Sequence, residues 1–220
     1  MNSDAAATFT ERMQDVDQLM EIHKSVGGAT VGRRVGVEVL NRSAVVLITA
    51  IWEGYCEELA AGAVGHLVAN VSSPDKLPKV LRKKVAAELE ADDNELAVWR
   101  LAGEGWRTYV SGRVPDYAKK RAQAWNTPMS DRIDTLVEQA IGLPKVTDSW
   151  GWQRMLPATA RSKLDKWVKL RGDIAHGAGA PKTVQKNAVL KYKNHVERLV
   201  SITDVTVNEY LEKITGKTFL

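Results

Sequence analysis

The chain reads LDKWVKLRGDIAHG from Leu164 to Gly177, and the apolar residues of this stretch recur at the spacing of one helix face. Arg171 follows Trp167 by four residues and therefore lies in the middle of that face. Burying a guanidinium is costly unless the group is paired or functional. The stretch therefore predicts a helix that packs on a core, with Arg171 salt-bridged, extended towards solvent, or part of a site.

Arg171 and His176 stand five residues apart and together supply the side-chain chemistry for breaking a phosphodiester without a metal ion. The arginine fork grips phosphate, and histidine moves protons near neutral pH. Five helical steps rotate the two side chains about 140° from each other. We therefore expect that the helix, predicted over residues 157–172, breaks before His176, or that a second copy of the chain completes the site. A break is favoured by Gly172, Gly177 and Gly179, and Pro181 fits the first turn of a following helix. For His176 alone, a loop or capping role is the alternative.

The rest of the chain also has helical periodicity, so we expect an all-α fold. No stretch shows the alternation of apolar and polar residues that is typical of a half-buried strand. The pattern predicts further helices over residues 8–24, 36–70 with a break near Gly62 or Gly65, 76–90, 93–102, 104–122, 129–141, and from Pro181 to Gly216.

Three stretches together resemble one family. The sequence Arg171-x4-His176-Gly177, lying between two helices, resembles the motif of the HEPN superfamily of ribonucleases. The apolar run of residues 44–59 resembles the first core helix of the RiboL-PSP-type branch. A middle stretch also resembles the corresponding segment of that branch, at Asn126-Thr127-Pro128, Ile133, Leu136 and Gly142. Trp152 and Leu156 then lead into the motif helix. The resemblance covers about residues 35–215. It implies one HEPN-like helical bundle over residues 1–220, with residues 1–34 as an N-terminal extension and about residues 72–155 as a helical insertion.

The resemblance also implies a homodimer in which motif residues of both subunits line a shared cleft, and metal-independent cleavage of RNA. Arg171 would bind and stabilise the phosphorane, and His176 would move the proton of the attacking 2′-hydroxyl or of the leaving 5′-oxygen. We expect no metal site and no cofactor, because no histidine, cysteine or carboxylate cluster has metal-ligand spacing. The competing hypothesis is a non-catalytic HEPN module for dimerisation or for binding a partner or RNA.

Two acidic residues are further candidates for the site. Asp173 stands two residues after the arginine, whereas many family members place a polar residue directly after it, where this chain has Gly172. Glu53 is the first charge after the apolar run, and we expect it either to neutralise Arg171 across a helix pair or to belong with Glu57 to a solvated edge.

Basic residues concentrate around the motif. Residues 161–198 carry ten basic and three acidic side chains. Such a local positive field attracts polyanions, although a solvated lysine-rich face is the alternative. We expect RNA phosphates to be contacted by Lys166, Lys169, Lys182 and Lys186.

Tryptophan is concentrated between Trp99 and Trp152. Trp125, Trp150 or Trp152 could stack on RNA bases in a binding groove, and packing in the core is the competing interpretation.

Other features of the sequence bear on the cellular location and the role of the protein. Cys56 is the only cysteine, and the longest strongly apolar run, Ala44 to Trp52, is far shorter than a bilayer span. The N-terminal residues do not resemble a signal peptide, so we expect a cytoplasmic protein with no membrane contact. The resemblance implies a toxin or defence-system effector, with an antitoxin or defence-system protein as a partner.

Overall fold

The computed structural model describes residues 3–27, 37–113, 127–177 and 183–220, and no β-strand occurs within these ranges. The expected all-α fold is confirmed. The described ranges contain seven α-helices: α1 (Asp4–Gly27), α2 (Glu38–Asn70), α3 (Lys79–Glu90), α4 (Gly105–Ser111), α5 (Ser130–Ile141), α6 (Pro157–His176) and α7 (Lys186–Thr215). Short 3₁₀ turns cover Pro74–Lys76, Ala97–Leu101 and Val146–Ser149.

Helix α2 is the central element, and α1, α4, α5, α6 and α7 all pack against it. Its apolar residues lie on several faces, which is the pattern of a helix surrounded by others. Neither Gly62 nor Gly65 interrupts it, so the predicted break is wrong. A side chain at Gly62 would lie 3.4 Å from the ring of Phe219, so the glycine leaves room for the C-terminal residues to pack on α2.

Helix α1 shares this core, because Phe9, Met13, Val16 and Met20 recur at helical spacing and are all buried. Its N-terminus is fixed by Asp204 of α7, whose carboxylate accepts a hydrogen bond from the backbone N–H of Ser3 at 2.8 Å. Residues 3–27 therefore pack in the same core as the later helices, and the predicted division into an extension, a core and an insertion stays a prediction.

One aspartate attaches the described part of residues 72–155 to the motif helix, and a second joins two parts of that segment to each other. Asp165 of α6 accepts hydrogen bonds from the backbone N–H and hydroxyl of Ser130, at 2.8 and 2.9 Å, and so fixes the start of α5. Asp134 of α5 accepts hydrogen bonds from the backbone N–H and the hydroxyl of Thr147, both at 2.9 Å. The residues after Thr147 lead into α6, so these hydrogen bonds fix the direction from which the chain enters the motif helix.

Several predicted boundaries are wrong. Helix α1 extends beyond the predicted residues 8–24 at both ends, and α3 begins at Lys79 and not at residue 76. Helix α6 continues through Gly172 to His176. The helix predicted over residues 93–102 is only the 3₁₀ turn Ala97–Leu101. The one predicted over residues 104–122 ends at Ser111, and residues 114–122 lie outside the described ranges. The last helix begins at Lys186, because residues 183–185 are not helical, and Pro181 lies outside the described ranges.

None of the helices in the part of the chain that the structure describes is both long and apolar enough to span a membrane.

Candidate active site

Helix α6 brings Arg171 to the edge of the core. Pro157 stands in its first turn, where the missing N–H costs nothing, and Gly177 ends it in the left-handed conformation with φ of 68°. Ala160, Leu164 and Val168 are buried along one face, and the next residue on that face is Arg171. The guanidinium therefore continues an apolar stripe at the point where α2, α6 and α7 come together.

Arg171 is half-buried and has no ion-pair partner among the described residues. Its Nε atom is buried and lacks a hydrogen-bond partner in the same ranges. A buried donor without a partner costs about 1–3 kcal/mol, so the position is expensive to maintain for structure alone.

Glu53 lies near enough to Arg171 for the two charges to act on each other. Burial raises the pKa of the Glu53 carboxyl above its ordinary value, and the Arg171 guanidinium opposes part of that rise. The two side chains do not form a salt bridge within 4.0 Å. Glu57 is also half-buried, and its pKa is raised by burial and then by Glu53 and Glu58. Glu53 thus adds a nearby negative field without occupying the donors of Arg171.

Tyr192 and Thr49 are neighbours of this region that the sequence analysis did not single out. The Tyr192 hydroxyl lies 2.9 Å from Thr49 Oγ1, and its ring stacks on Trp167 with centroids 4.7 Å apart. Burial raises the pKa of Tyr192, while Arg171 acts in the opposite direction. Tyr192 lies on the buried face of α7 with Val189, Val196 and Leu199, so its place in the sequence is that of an ordinary core residue.

His176 is the last residue of α6, and its side chain is exposed. Because α6 does not break, Arg171 and His176 remain on different faces of one helix, about 140° apart. The expected break between them is therefore wrong. The second expectation, completion of the site by another copy of the chain, stays open.

The exposed face of α6 carries the other candidates. Lys166, Lys169, Asp173 and His176 follow each other at spacings of three or four residues and are all exposed. Asp173 therefore lies beside His176 and away from Arg171. Lys186 is half-buried in the first turn of α7, and Lys182 lies outside the described residues. Helix α6 thus places Lys166 and Lys169 on the same exposed face as His176, whereas Arg171 lies at the edge of the core.

Cys56 is buried, and burial raises the pKa of its thiol well above the ordinary value. Within the described ranges, no group of three or more histidine, cysteine or carboxylate side chains is arranged to hold a metal ion.

Of the tryptophans proposed to contact RNA, Trp150 is fully buried and donates a hydrogen bond from Nε1 to Thr203 Oγ1 at 2.8 Å. Core packing accounts for it. Trp152 is only half-buried, and Trp125 lies outside the described residues.

The model of the RiboL-PSP-HEPN family matches residues 8–209 of this chain, a range that includes α6 with Arg171 and His176. No curated protein and no solved structure matches the chain significantly. The family match extends over most of the sequence, and the helical architecture agrees with it. The chain therefore belongs to the RiboL-PSP-HEPN family, within the HEPN superfamily.

Proposed function

We propose that this chain is a metal-independent endoribonuclease that acts as a homodimer. Its family supports this, because HEPN domains are often ribonucleases. The guanidinium of Arg171 is half-buried and has no ion-pair partner in the described ranges, so it supplies an anion-binding group. The exposed imidazole of His176 supplies a proton-transfer group.

The reaction proceeds by attack of a ribose 2′-oxygen on the adjacent phosphorus. The bond between phosphorus and the 5′-oxygen breaks, so the products are a 2′,3′-cyclic phosphate and a free 5′-hydroxyl. Arg171 binds the non-bridging oxygens and stabilises the charge that develops on the phosphorane. His176 transfers one proton, either from the 2′-hydroxyl or to the leaving 5′-oxygen, and solvent water transfers the other.

The continuity of α6 carries the dimer proposal. A single subunit cannot aim Arg171 and His176 at one phosphate while both remain on one regular helix. Two copies related by a two-fold axis can place the His176 face of one α6 beside the Arg171 edge of the other. Lys166 and Lys169 then extend the His176 face along the RNA backbone.

The test compares the wild type with His176→Ala on a defined single-stranded RNA, with the product ends mapped. The His176 side chain is exposed at the end of its helix, so the variant should fold normally. Loss of activity should be about 10²–10⁴-fold. Lys213→Ala is the control, because Lys213 is exposed near the far end of α7. Wild-type cleavage by folded His176→Ala would favour a non-catalytic HEPN module.

We extend the proposal to a role as a toxin or defence-system effector that an antitoxin or another partner protein restrains. The support is the activity itself, because unrestrained cleavage of cellular RNA stops growth. Induced expression of the wild type should arrest growth, and expression of His176→Ala to the same level should not.

A further inference from the structure

A groove of about 540 Å³ opens between α6 and α7, beginning one helical turn before Arg171. Its lining includes the aromatic rings of Trp152 and Trp167, three basic side chains and the edge of His195. Trp167 precedes Arg171 by four residues on nearly the same face of α6, and Lys163 precedes Trp167 by four more. The groove therefore continues the strip of α6 that carries Arg171, over about 12 Å of helix axis.

The groove has an uncompensated positive charge. Lys163, Lys191 and Arg198 are exposed at its border, and none of them has an ion-pair partner among the described residues. No carboxylate is among the residues that line it. Two other cations of these helices do have ion-pair partners: Lys193 binds Asp17, and Arg161 binds Asp148. Three unpaired cations around one concave surface attract an anion such as a phosphate.

The groove also offers aromatic surface. Trp152 and Trp167 are both half-buried, so each has a portion of its ring accessible. The ring of Trp152 lies 5.5 Å from the ring of His195, and the ring of Trp167 stacks on Tyr192. Rings held in this way lose little freedom when a planar base stacks on them.

His195 adds a hydrogen-bonding edge. Its Nε2 lies 3.1 Å from the carbonyl oxygen of Ala160, and because a carbonyl only accepts, Nε2 carries the proton. In the neutral ring, the other nitrogen then keeps a lone pair and acts as an acceptor.

We propose that this groove is a nucleotide-binding subsite that holds one unstacked base and its neighbouring phosphate from a single-stranded RNA. The inference rests on the proposed function for the identity of the strand, which continues from the groove towards Arg171. Paired bases in a duplex are stacked on each other and do not present a free face, so the subsite selects single strands.

The test measures binding of a fluorescently labelled 2′-O-methyl RNA oligomer by anisotropy. This probe cannot be cleaved by 2′-hydroxyl attack, so the measurement does not depend on activity. Trp152→Leu keeps an apolar side chain and removes the aromatic face, and it should weaken binding about tenfold. Trp152→Phe should retain most of the affinity. Circular dichroism checks that both variants fold.

The exposed cations allow a second test, in which one double variant leaves the core untouched. Lys191→Ala combined with Arg198→Ala should weaken binding about tenfold. The slope of log affinity against log salt concentration should become shallower by about 0.7 for each phosphate that the variant no longer neutralises. Lys213→Ala, which removes a positive charge away from the groove, should change neither the affinity nor the salt slope. Wild-type affinity in both the Trp152→Leu protein and the double variant would overturn the subsite.

Two further measurements, the binding of adenosine monophosphate and the cleavage of RNA, distinguish the other outcomes. If adenosine monophosphate binds the wild type as tightly as the oligomer does, the groove serves a free nucleotide, and the RNA assignment is overturned. If the groove variants lose binding but the wild type never cleaves RNA, the subsite stands and the enzyme proposal fails. If the wild type cleaves RNA and the groove variants bind and cleave as it does, only the subsite fails.

Discussion

The indole of Trp167 stacks on the phenol ring of Tyr192, with ring centroids 4.7 Å apart and planes within 11° of parallel. This contact joins α6 to α7 one turn before Arg171. The Tyr192 hydroxyl then reaches Thr49 on α2. One aromatic stack and one hydrogen bond therefore connect the three helices whose junction positions Arg171.

Tyr192→Phe should lower the free energy of unfolding by about 1 kcal/mol, because it removes one buried hydrogen bond and preserves the stack. Thr49 Oγ1 donates its own hydrogen to the Val45 carbonyl at 2.8 Å and keeps that bond in the variant. Urea denaturation gives the value, and an unchanged m-value would show that the change is in stability. Tyr210→Phe is the control, because the Tyr210 hydroxyl has no hydrogen bond among the described residues. Equal losses in the two variants would contradict the prediction.

The second prediction concerns pH and stability. Burial lowers the pKa of His195, the hydrogen bond to Ala160 opposes this, and Lys163 adds to the lowering. Below the ordinary histidine pKa, the unfolded chain therefore binds a proton that the folded chain does not. The free energy of unfolding should fall as the pH drops from about 7 to about 5.

His195→Gln should flatten this slope, since glutamine does not titrate. Urea denaturation at several pH values measures the slope, so an overall loss of stability from altered packing against Trp152 does not affect the comparison. His66, whose pKa burial also lowers, contributes with the same sign, and Glu53, whose pKa burial raises, contributes with the opposite sign. An identical slope in the wild type and in His195→Gln would refute the assignment.

The helix pattern of this chain could be predicted where one face is clearly apolar. The prediction over residues 129–141 agrees with α5 within a residue, because Ile133, Leu136, Val137 and Ala140 form one buried face. The end of α6 could not be predicted in the same way. Both Gly172 and Gly177 follow helical residues, and glycine commonly ends helices. Gly172 instead stays helical at a cost of about 1 kcal/mol, which the packing of Ile174 offsets, and Gly177 alone adopts the left-handed conformation.

The candidate site was predicted less completely than the fold, because its parts come from three helices. The motif residues were visible as a local pattern. Tyr192 and Thr49 look like ordinary core positions, since Thr49 stands in an apolar run and Tyr192 lies on the apolar face of α7. Their place near Arg171 depends on how α2, α6 and α7 pack, which a local pattern does not encode. The groove cations were hidden in the same way. Lys191 and Lys193 are near neighbours in sequence, but among the described residues only Lys193 has an ion-pair partner.

Arg171→Lys should be severely impaired in cleavage even though it keeps the positive charge. The planar fork can bind two phosphate oxygens at once, whereas an ammonium group is a point charge. We expect a loss of at least about 10² in the cleavage rate, with RNA binding changed much less. Single-turnover cleavage and anisotropy binding measure the two quantities. Cleavage at the wild-type rate by Arg171→Lys would show that charge alone is sufficient.

Cleavage should continue in excess EDTA and should leave 2′,3′-cyclic phosphate ends. The physical reason is that Arg171 can stabilise the phosphorane and His176 can transfer the proton, so the proposed reaction requires no Lewis acid. The assay compares rates with EDTA, with added magnesium, and with neither. Loss of cleavage on chelation that magnesium restores would contradict the mechanism.

Mixing two inactive variants should restore cleavage if each site takes Arg171 from one subunit and His176 from the other. Arg171→Lys and His176→Ala homodimers are each deficient in both sites. After subunit exchange, a mixed dimer has one site with both native residues and one site with neither. With random exchange, half of the dimers are mixed and each has one intact site, so activity should recover to about a quarter of the wild type. Mixing each variant with itself is the control for dilution and exchange. No recovery, when exchange has been verified by differently tagged subunits, would mean that Arg171 and His176 act within one subunit or that each site needs both copies of each residue.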